Sequence, residues 1–177
     1  MASRRIREFL LGAGVAFGFI CHDPAVATQE TAESSRMDAH YMAKPVIVRL
    51  DRRLAMAVIP ATARLDLRMM RYETASRVAR LAKESEFRHL FEGCQIGAEP
   101  PFGNLFGMPT FVDRDLADEE CIAFIAGTHT DVFVIRYSDY ARLVRPRILD
   151  IAAQPKCKTK RRPAECDGPM LDHVGVD

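Results

Sequence analysis

Residues Gly97-Ala98-Glu99-Pro100-Pro101-Phe102-Gly103 set two glycines around two adjacent prolines, and a lysine, Lys44, stands well upstream. Glycine reaches positive φ and lets a ligand approach the backbone, while proline fixes φ at about −65° and removes an N–H. A stiff loop bounded by glycines suits a small ligand held through main-chain groups. The same residue types also build ordinary turns between strands. The Lys44 ammonium is a compact point charge, suited to a phosphate or carbonyl oxygen and equally to a solvated strand end. Farther on, Ala126-Gly127-Thr128-His129-Thr130-Asp131 sets a histidine two residues before an acid. His129 has an ordinary pKa near ~6.5, so it can serve as a base or simply line a pocket. Asp131 can bind an amino group, pair with Lys44, or close a turn.

Other chemistries lack their residues. No Ser/His/Asp nucleophilic set stands in order or spacing. The histidines (His22, His40, His89, His129, His173) show no HxH or HxxxH, and the five cysteines (Cys21, Cys94, Cys121, Cys157, Cys166) show no CxxC, so no metal is expected. There is no P-loop and no GxGxxG, hence no nucleotide cofactor is expected either. The odd cysteine count reads as a reducing compartment with no disulfide framework. Lys and Arg number 25 against 24 Asp and Glu. With no global field, an RNA partner would have to be met by a local basic patch.

The elements that must position these groups are read from pattern. At 177 residues the chain is one domain with a sizeable core. Arg4-Arg5, the apolar stretch from Phe9 to Ile20 and Ala25-Val26-Ala27 have the order of a secretory signal. The competing reading is a helix over Ile6 to Leu11, ended by Gly12 and Gly14, then a strand over Val15 to Cys21; Glu8 and the two glycines favour it. Thr28 caps a short helix whose first turn carries acids. Pro45 to Leu50 and Leu54 to Ile59 read as a hairpin turning at Asp51-Arg52-Arg53, with Pro60 ending its second strand. Leu65 to Phe91 reads either as one long helix or as two helices around a short strand at Val78 to Ala82. Thr110 to Val112, Cys121 to Ala126 and Val132 to Ile135 read as strands, and Ser138 begins a helical turn to Leu143. After residue 152 the chain becomes basic and proline-flanked, with too little apolar content to order itself. Residues 153–177 therefore read as a tail, either a solvated end or a contact for phosphates.

In order, the chain carries His22-Asp23-Pro24, the Thr28 to Glu33 segment, Met42-Ala43-Lys44 entering a strand, Ala57-Val58-Ile59-Pro60, Arg64-Leu65-Asp66-Leu67, the 97–103 loop with Asn104, Val112-Asp113, Ala126 to Asp131, and Tyr140 to Pro146. This succession resembles the YbaK/ProX family, the aminoacyl-tRNA deacylases related to the editing domain of prolyl-tRNA synthetase. The resemblance covers about residues 5 to 152, so 1–152 are expected to form the deacylase-like domain. It implies an α/β (α+β) single domain, a mixed, curved, barrel-like sheet surrounded by helices, and it favours helix, strand, helix for the ambiguous stretch.

The resemblance also implies an activity: hydrolysis of the ester joining a wrong amino acid to tRNA, by a free-standing cytoplasmic enzyme. The implied partners are mischarged tRNA through its 3′ aminoacyl end and an aminoacyl-tRNA synthetase, with no membrane and no DNA. An aminoacyl ester is already activated, so a placed water and support for the oxyanion suffice, which accords with a substrate-assisted route. The family's catalytic positions fall on Lys44, Gly97 and Asp131. Pro100, Pro101, Phe102, Gly103, Gly127, Thr128 and His129 are expected to bind substrate, with Phe102 as a wall of the amino-acid pocket. Asp113 is expected to fix a turn. Some relatives carry a tyrosine where this chain has Ile20, which cannot hydrogen-bond a substrate. The alternative is a non-catalytic module that uses the same pocket for an amino acid, a nucleotide or a partner protein.

Overall fold

A computed structural model describes residues 2–21 and 41–153. Helix α1 (Ala2–Gly12) leads to strand β1 (Gly18–Cys21). The hairpin follows as β2 (Ala43–Leu50) and β3 (Arg53–Pro60), turning through Asp51, whose φ is 51°. Next come β4 (Arg64–Leu65), α2 (Leu67–Glu73), β5 (Ala79–Leu81) and α3 (Glu84–Phe87). The second half holds β6 (Thr110–Asp113), α4 (Arg114–Ala117), β7 (Cys121–Ile125), β8 (Asp131–Arg136), α5 (Tyr137–Val144), β9 (Arg147–Leu149) and β10 (Ala152–Ala153).

The expected mixed α/β domain is present. Its main sheet has the order β5-β2-β3-β6-β9, with β3–β6 and β6–β9 parallel and the remaining pairs antiparallel. A second, antiparallel sheet has the order β1-β8-β7, and β10 pairs with β4. These sheets do not close into a barrel. One bridge, Met42 to Ala123, ties the entrance of β2 to β7. Helix–strand–helix holds between Leu67 and Phe87, as the resemblance implied.

β3 is apolar throughout because it is central. Met56 and Val58 face the larger core with Phe102, Phe124, Phe133 and Tyr140, while Ala55, Ala57 and Ile59 face a smaller cluster around Met70 and Ile151. The amphipathic α1 buries Ile6 and Leu10 in the larger core. This makes the N-terminal stretch an integral helix and strand, the second of the two sequence readings.

Three expectations change. Ser138 lies in the first turn of α5, and the cap position is Arg136, with no side-chain cap. Ala153, placed in the tail from sequence, pairs with Arg64. Cys121 is disulfide-bonded, so the chain is not free of disulfides; Cys21 and Cys94 are free thiols. His22 to Pro24, the Thr28 helix, His40 and residues 154–177 lie outside the described residues. No helix among the described residues is long and apolar enough to cross a membrane.

Candidate active site

Two loops meet at the end of the smaller sheet. The first runs from Gln95 to Gly103, and the second links β7 to β8 through Gly127 and His129. Main-chain bonds staple them: Gln95 N donates to Gly127 O at 2.9 Å, and Gly127 N donates to Ala98 O at 2.8 Å. Side chains add two more. His129 N donates to Gln95 Oε1 at 3.0 Å, and His129 Nε2 lies 2.9 Å from Ile96 O. A carbonyl can only accept, so Nε2 donates in this contact. Gly97 and Gly127 sit at φ 82° and 88°, a region that glycine enters without strain. A Cβ at Gly97 would lie 3.5 Å from His129 Cε1. The glycines therefore give the loops their shape through positive φ, while a Cβ at Gly97 would make only an ordinary contact.

The second half of the first loop is anchored in the core. Pro100, Pro101, Phe102 and Gly103 are all buried. Phe102 is fully buried and packs edge-on against Phe9, Phe124 and Tyr140. The expected pocket wall is thus a core anchor, because a ring enclosed on those sides presents no surface to solvent. Tyr140 Oη donates to Pro101 O at 2.7 Å, with the tyrosine wholly buried. That enclosure pushes its hydroxyl pKa well above the ordinary value. Tyr140→Phe would leave the Pro101 carbonyl without its partner, and a stability loss of about 1–3 kcal/mol is expected in chemical denaturation. Gly103 is needed for a different reason. A Cβ there would overlap Thr110 Oγ1 and stand 3.0 Å from Met108 O and 3.3 Å from Met56 Cβ. Gly103→Ala should cost about 1–3 kcal/mol by overpacking, read as a lowered Tm.

Gly97 N–H donates to Glu99 Oε1 at 3.2 Å. The loop's own carboxylate therefore sits on the donor that sequence reasoning assigned to chemistry. Asp131 begins β8 and is half-buried. Its Oδ1 accepts from Thr130 Oγ1 at 3.3 Å, and its N–H donates to Thr128 Oγ1 at 3.1 Å. Thr128 and Thr130 hydroxyls lie 3.1 Å apart. This small network rigidifies the turn that carries His129.

Lys44 stands at the entrance of β2. By strand alternation it shares a face with Val46 and Val48, opposite Ala43 and Ile47, which pack with Phe102. Its Nζ donates to Ala61 O at 3.2 Å and Ala63 O at 2.8 Å. Burial pulls its pKa down from 10.5, and Arg64 adds to the effect. No hydrogen bond or ion pair among the described residues joins it to Asp131, so that suggested pairing is not formed. Its link to the loops is through the backbone. Ala123 N donates to Tyr41 O at 3.0 Å, and β7 runs on from Ala123 into the Gly127 loop.

Gln95, Glu99 and Tyr140 do more here than their sequence context announced. Tyr140 stood in the succession that carries the resemblance without a role, and nothing local marks Gln95, two of whose partners are 32 and 34 residues away. Ile20, in β1, pairs with Val132 of β8, next to the Cys21–Asp131 pair. No group of three or more His, Cys, Asp or Glu among the described residues is placed to hold a metal.

A family model described as an aminoacyl-tRNA editing domain matches residues 22–143. Among solved structures, a candidate trans-editing enzyme for prolyl tRNA synthetase is 21% identical, with 85% of this chain and 96% of that chain covered and a TM-score of 0.75. A hypothetical protein is 20% identical over 84% of this chain and 99% of its own, at a TM-score of 0.74. A candidate signal transduction protein from Marinobacter aquaeolei VT8 is 19% identical over 85% of this chain and 31% of its own, at a TM-score of 0.68. At these identities the likenesses establish the fold. No curated protein matches the sequence.

Proposed function

The chain belongs to the aminoacyl-tRNA editing domain family, and from that premise we propose that it acts in trans as a deacylase on mischarged tRNA. The observation that carries the proposal is the pair of stapled loops at Gly97 and Gly127, a rigid main-chain cradle in a chain of this family. Water adds to the ester carbonyl, the oxyanion is held by loop N–H groups, and the bond to the ribose oxygen breaks. The products are a free amino acid and a tRNA hydroxyl. No side-chain nucleophile is required, and the neighbouring ribose hydroxyl orients the water, which makes the route substrate-assisted. Gly97 N–H becomes an oxyanion donor once the substrate displaces Glu99 Oε1. Asp131 receives the α-amino group, with Thr128 and His129 beside it. Lys44 supplies a positive charge to the tRNA end. An aminoacyl-tRNA synthetase is the partner that would deliver the substrate, and cytoplasm is the compartment this role requires.

The alternative, a binding module without catalysis, is favoured by two facts: Gly97 N–H and the Lys44 ammonium are both engaged internally. Deacylation of alanyl-, cysteinyl-, seryl- and threonyl-tRNA separates the two. Release of one or two amino acids above the spontaneous rate is expected. Binding of the same RNAs with no release from any would replace the enzyme with the module.

A further inference from the structure

The near-neutral net charge hides an uneven distribution. At the β2–β3 turn and the connection from α2 to β5, Arg52, Arg53 and Arg77 line one open cleft of about 740 Å³, together with Val78 and Pro109. All three arginines are exposed, and none has an ion-pair partner among the described residues. This contrasts with their neighbours: Arg49 and Arg80 are both held by Glu86, at 3.4 and 2.7 Å. The acid within the cleft, Asp51, is committed to the backbone. Its Oδ1 accepts from Val78 N at 2.9 Å, and its N–H donates to Val78 O at 2.9 Å. Those two bonds lock the hairpin tip to the connecting loop and so fix the backbone positions that carry the arginines. The cleft connects in sequence to α2 through Ser76, whose N–H donates to Arg71 O at 3.1 Å.

We infer that this cleft is a docking surface for the phosphate backbone of the RNA substrate, a reading that rests on the proposed deacylase function. Charge complementarity carries the choice. Exposed guanidinium groups with no ion-pair partner among the described residues suit phosphate oxygens. The position fits as well. β2 separates Lys44 from Asp51 by ~23 Å at ~3.3 Å per residue, so the cleft would meet nucleotides remote from the ester while the loops hold its end. The surface gives a chain with no global field its local hold on RNA.

The test is fluorescence anisotropy with labelled uncharged tRNA across a salt series. It compares wild type, the triple variant Arg52→Gln/Arg53→Gln/Arg77→Gln and a control, Arg136→Gln/Arg145→Gln, that removes exposed charge elsewhere. Deacylation by each protein is measured in parallel. The expected result is at least tenfold weaker binding for the triple variant alone, with log K against log salt shallower by about two, since each phosphate contact contributes ~0.7–0.9. Equal affinity and slope in triple variant and wild type would overturn the docking surface, and would do so even if wild type deacylates. Weakened RNA binding by the triple variant alongside a wild type that deacylates nothing would uphold the surface and remove the deacylase reading. A triple variant that loses affinity for a poly-glutamate peptide but not for tRNA would assign the cleft to an acidic protein and overturn the inference.

Discussion

Lys44→Ala is expected to slow deacylation of the preferred mischarged tRNA by about 10²–10³-fold, the usual cost of removing one preorganised electrostatic group. The structure offers a competing explanation for any such loss, because Nζ ties Ala61 O and Ala63 O together. The two roles separate by magnitude. Removing partly exposed hydrogen bonds of this kind lowers stability by about 1–3 kcal/mol, a shift of several degrees in Tm for a domain of this size. An enzyme assayed far below its Tm remains folded, so a hundredfold loss of kcat would belong to chemistry. Single-turnover deacylation beside thermal unfolding of the same preparation supplies both numbers. A fall in Tm with kcat intact would make Lys44 a strand-end tie.

Titration sharpens the same prediction. Burial, then Arg64, lowers the Lys44 pKa below 10.5. If the ammonium is the working form, enzymatic deacylation falls as pH rises through that lowered value. Stability moves the other way. The unfolded chain binds this proton more tightly than the folded one, so stability rises with pH between the folded value and 10.5. In Lys44→Arg the guanidinium stays charged, and the alkaline limb of activity should disappear. Opposite slopes in wild type, both absent from the arginine variant, would assign the limb to this residue.

How much of this was legible from sequence depended on range. The β2–β3 hairpin was readable because two β-rich runs flank a three-residue polar turn. β3 was readable as a strand from its apolar run, and it is the burial of both its faces that sets it at the centre of the sheet. The glycines of both loops stood out because positive φ leaves a mark on residue choice, as at Gly97 and Gly127. What was not legible is long-range. β9 is a three-residue strand held by parallel pairing to β6, and no local alternation announces it. Phe102 looked available because its neighbours are loop residues, yet Phe9, Phe124 and Tyr140 enclose it from three distant elements. Lys44 and the loops were grouped by the resemblance, but Lys44 shares the face of β2 opposite Ala43 and Ile47, which pack with Phe102, a consequence of strand parity that spacing alone does not reveal. The loop stapling by Gln95 and His129 depends on a contact across 34 residues.

Asp113→Ala is expected to be the most destabilising of the substitutions considered, by about 3 kcal/mol or more, since the variant strands several donors at once. Asp113 ends β6 and caps α4. Its Oδ1 accepts from Asp115 N at 3.2 Å, and its Oδ2 accepts from Ile151 N at 2.9 Å and Ala152 N at 2.7 Å. One buried carboxylate thus joins the main sheet to the segment that leads into β10, as the turn-fixing role read from sequence required. Burial pushes its pKa above the ordinary 3.8, against the pull of those three N–H groups. A raised carboxyl pKa means the folded chain holds the proton more tightly, so this group's contribution is full below 3.8 and declines as pH rises through the folded value. The bonds themselves remain at neutral pH, where the carboxylate accepts all three. Chemical denaturation at pH 7 measures the large loss in the alanine variant. Thermal unfolding of wild type against Asp113→Asn from pH 3 to 6 isolates the titration. A declining difference across that window is expected, because the amide does not ionise; a rising one would place the carboxyl pKa below its ordinary value and reverse the balance between burial and hydrogen bonding argued for this site.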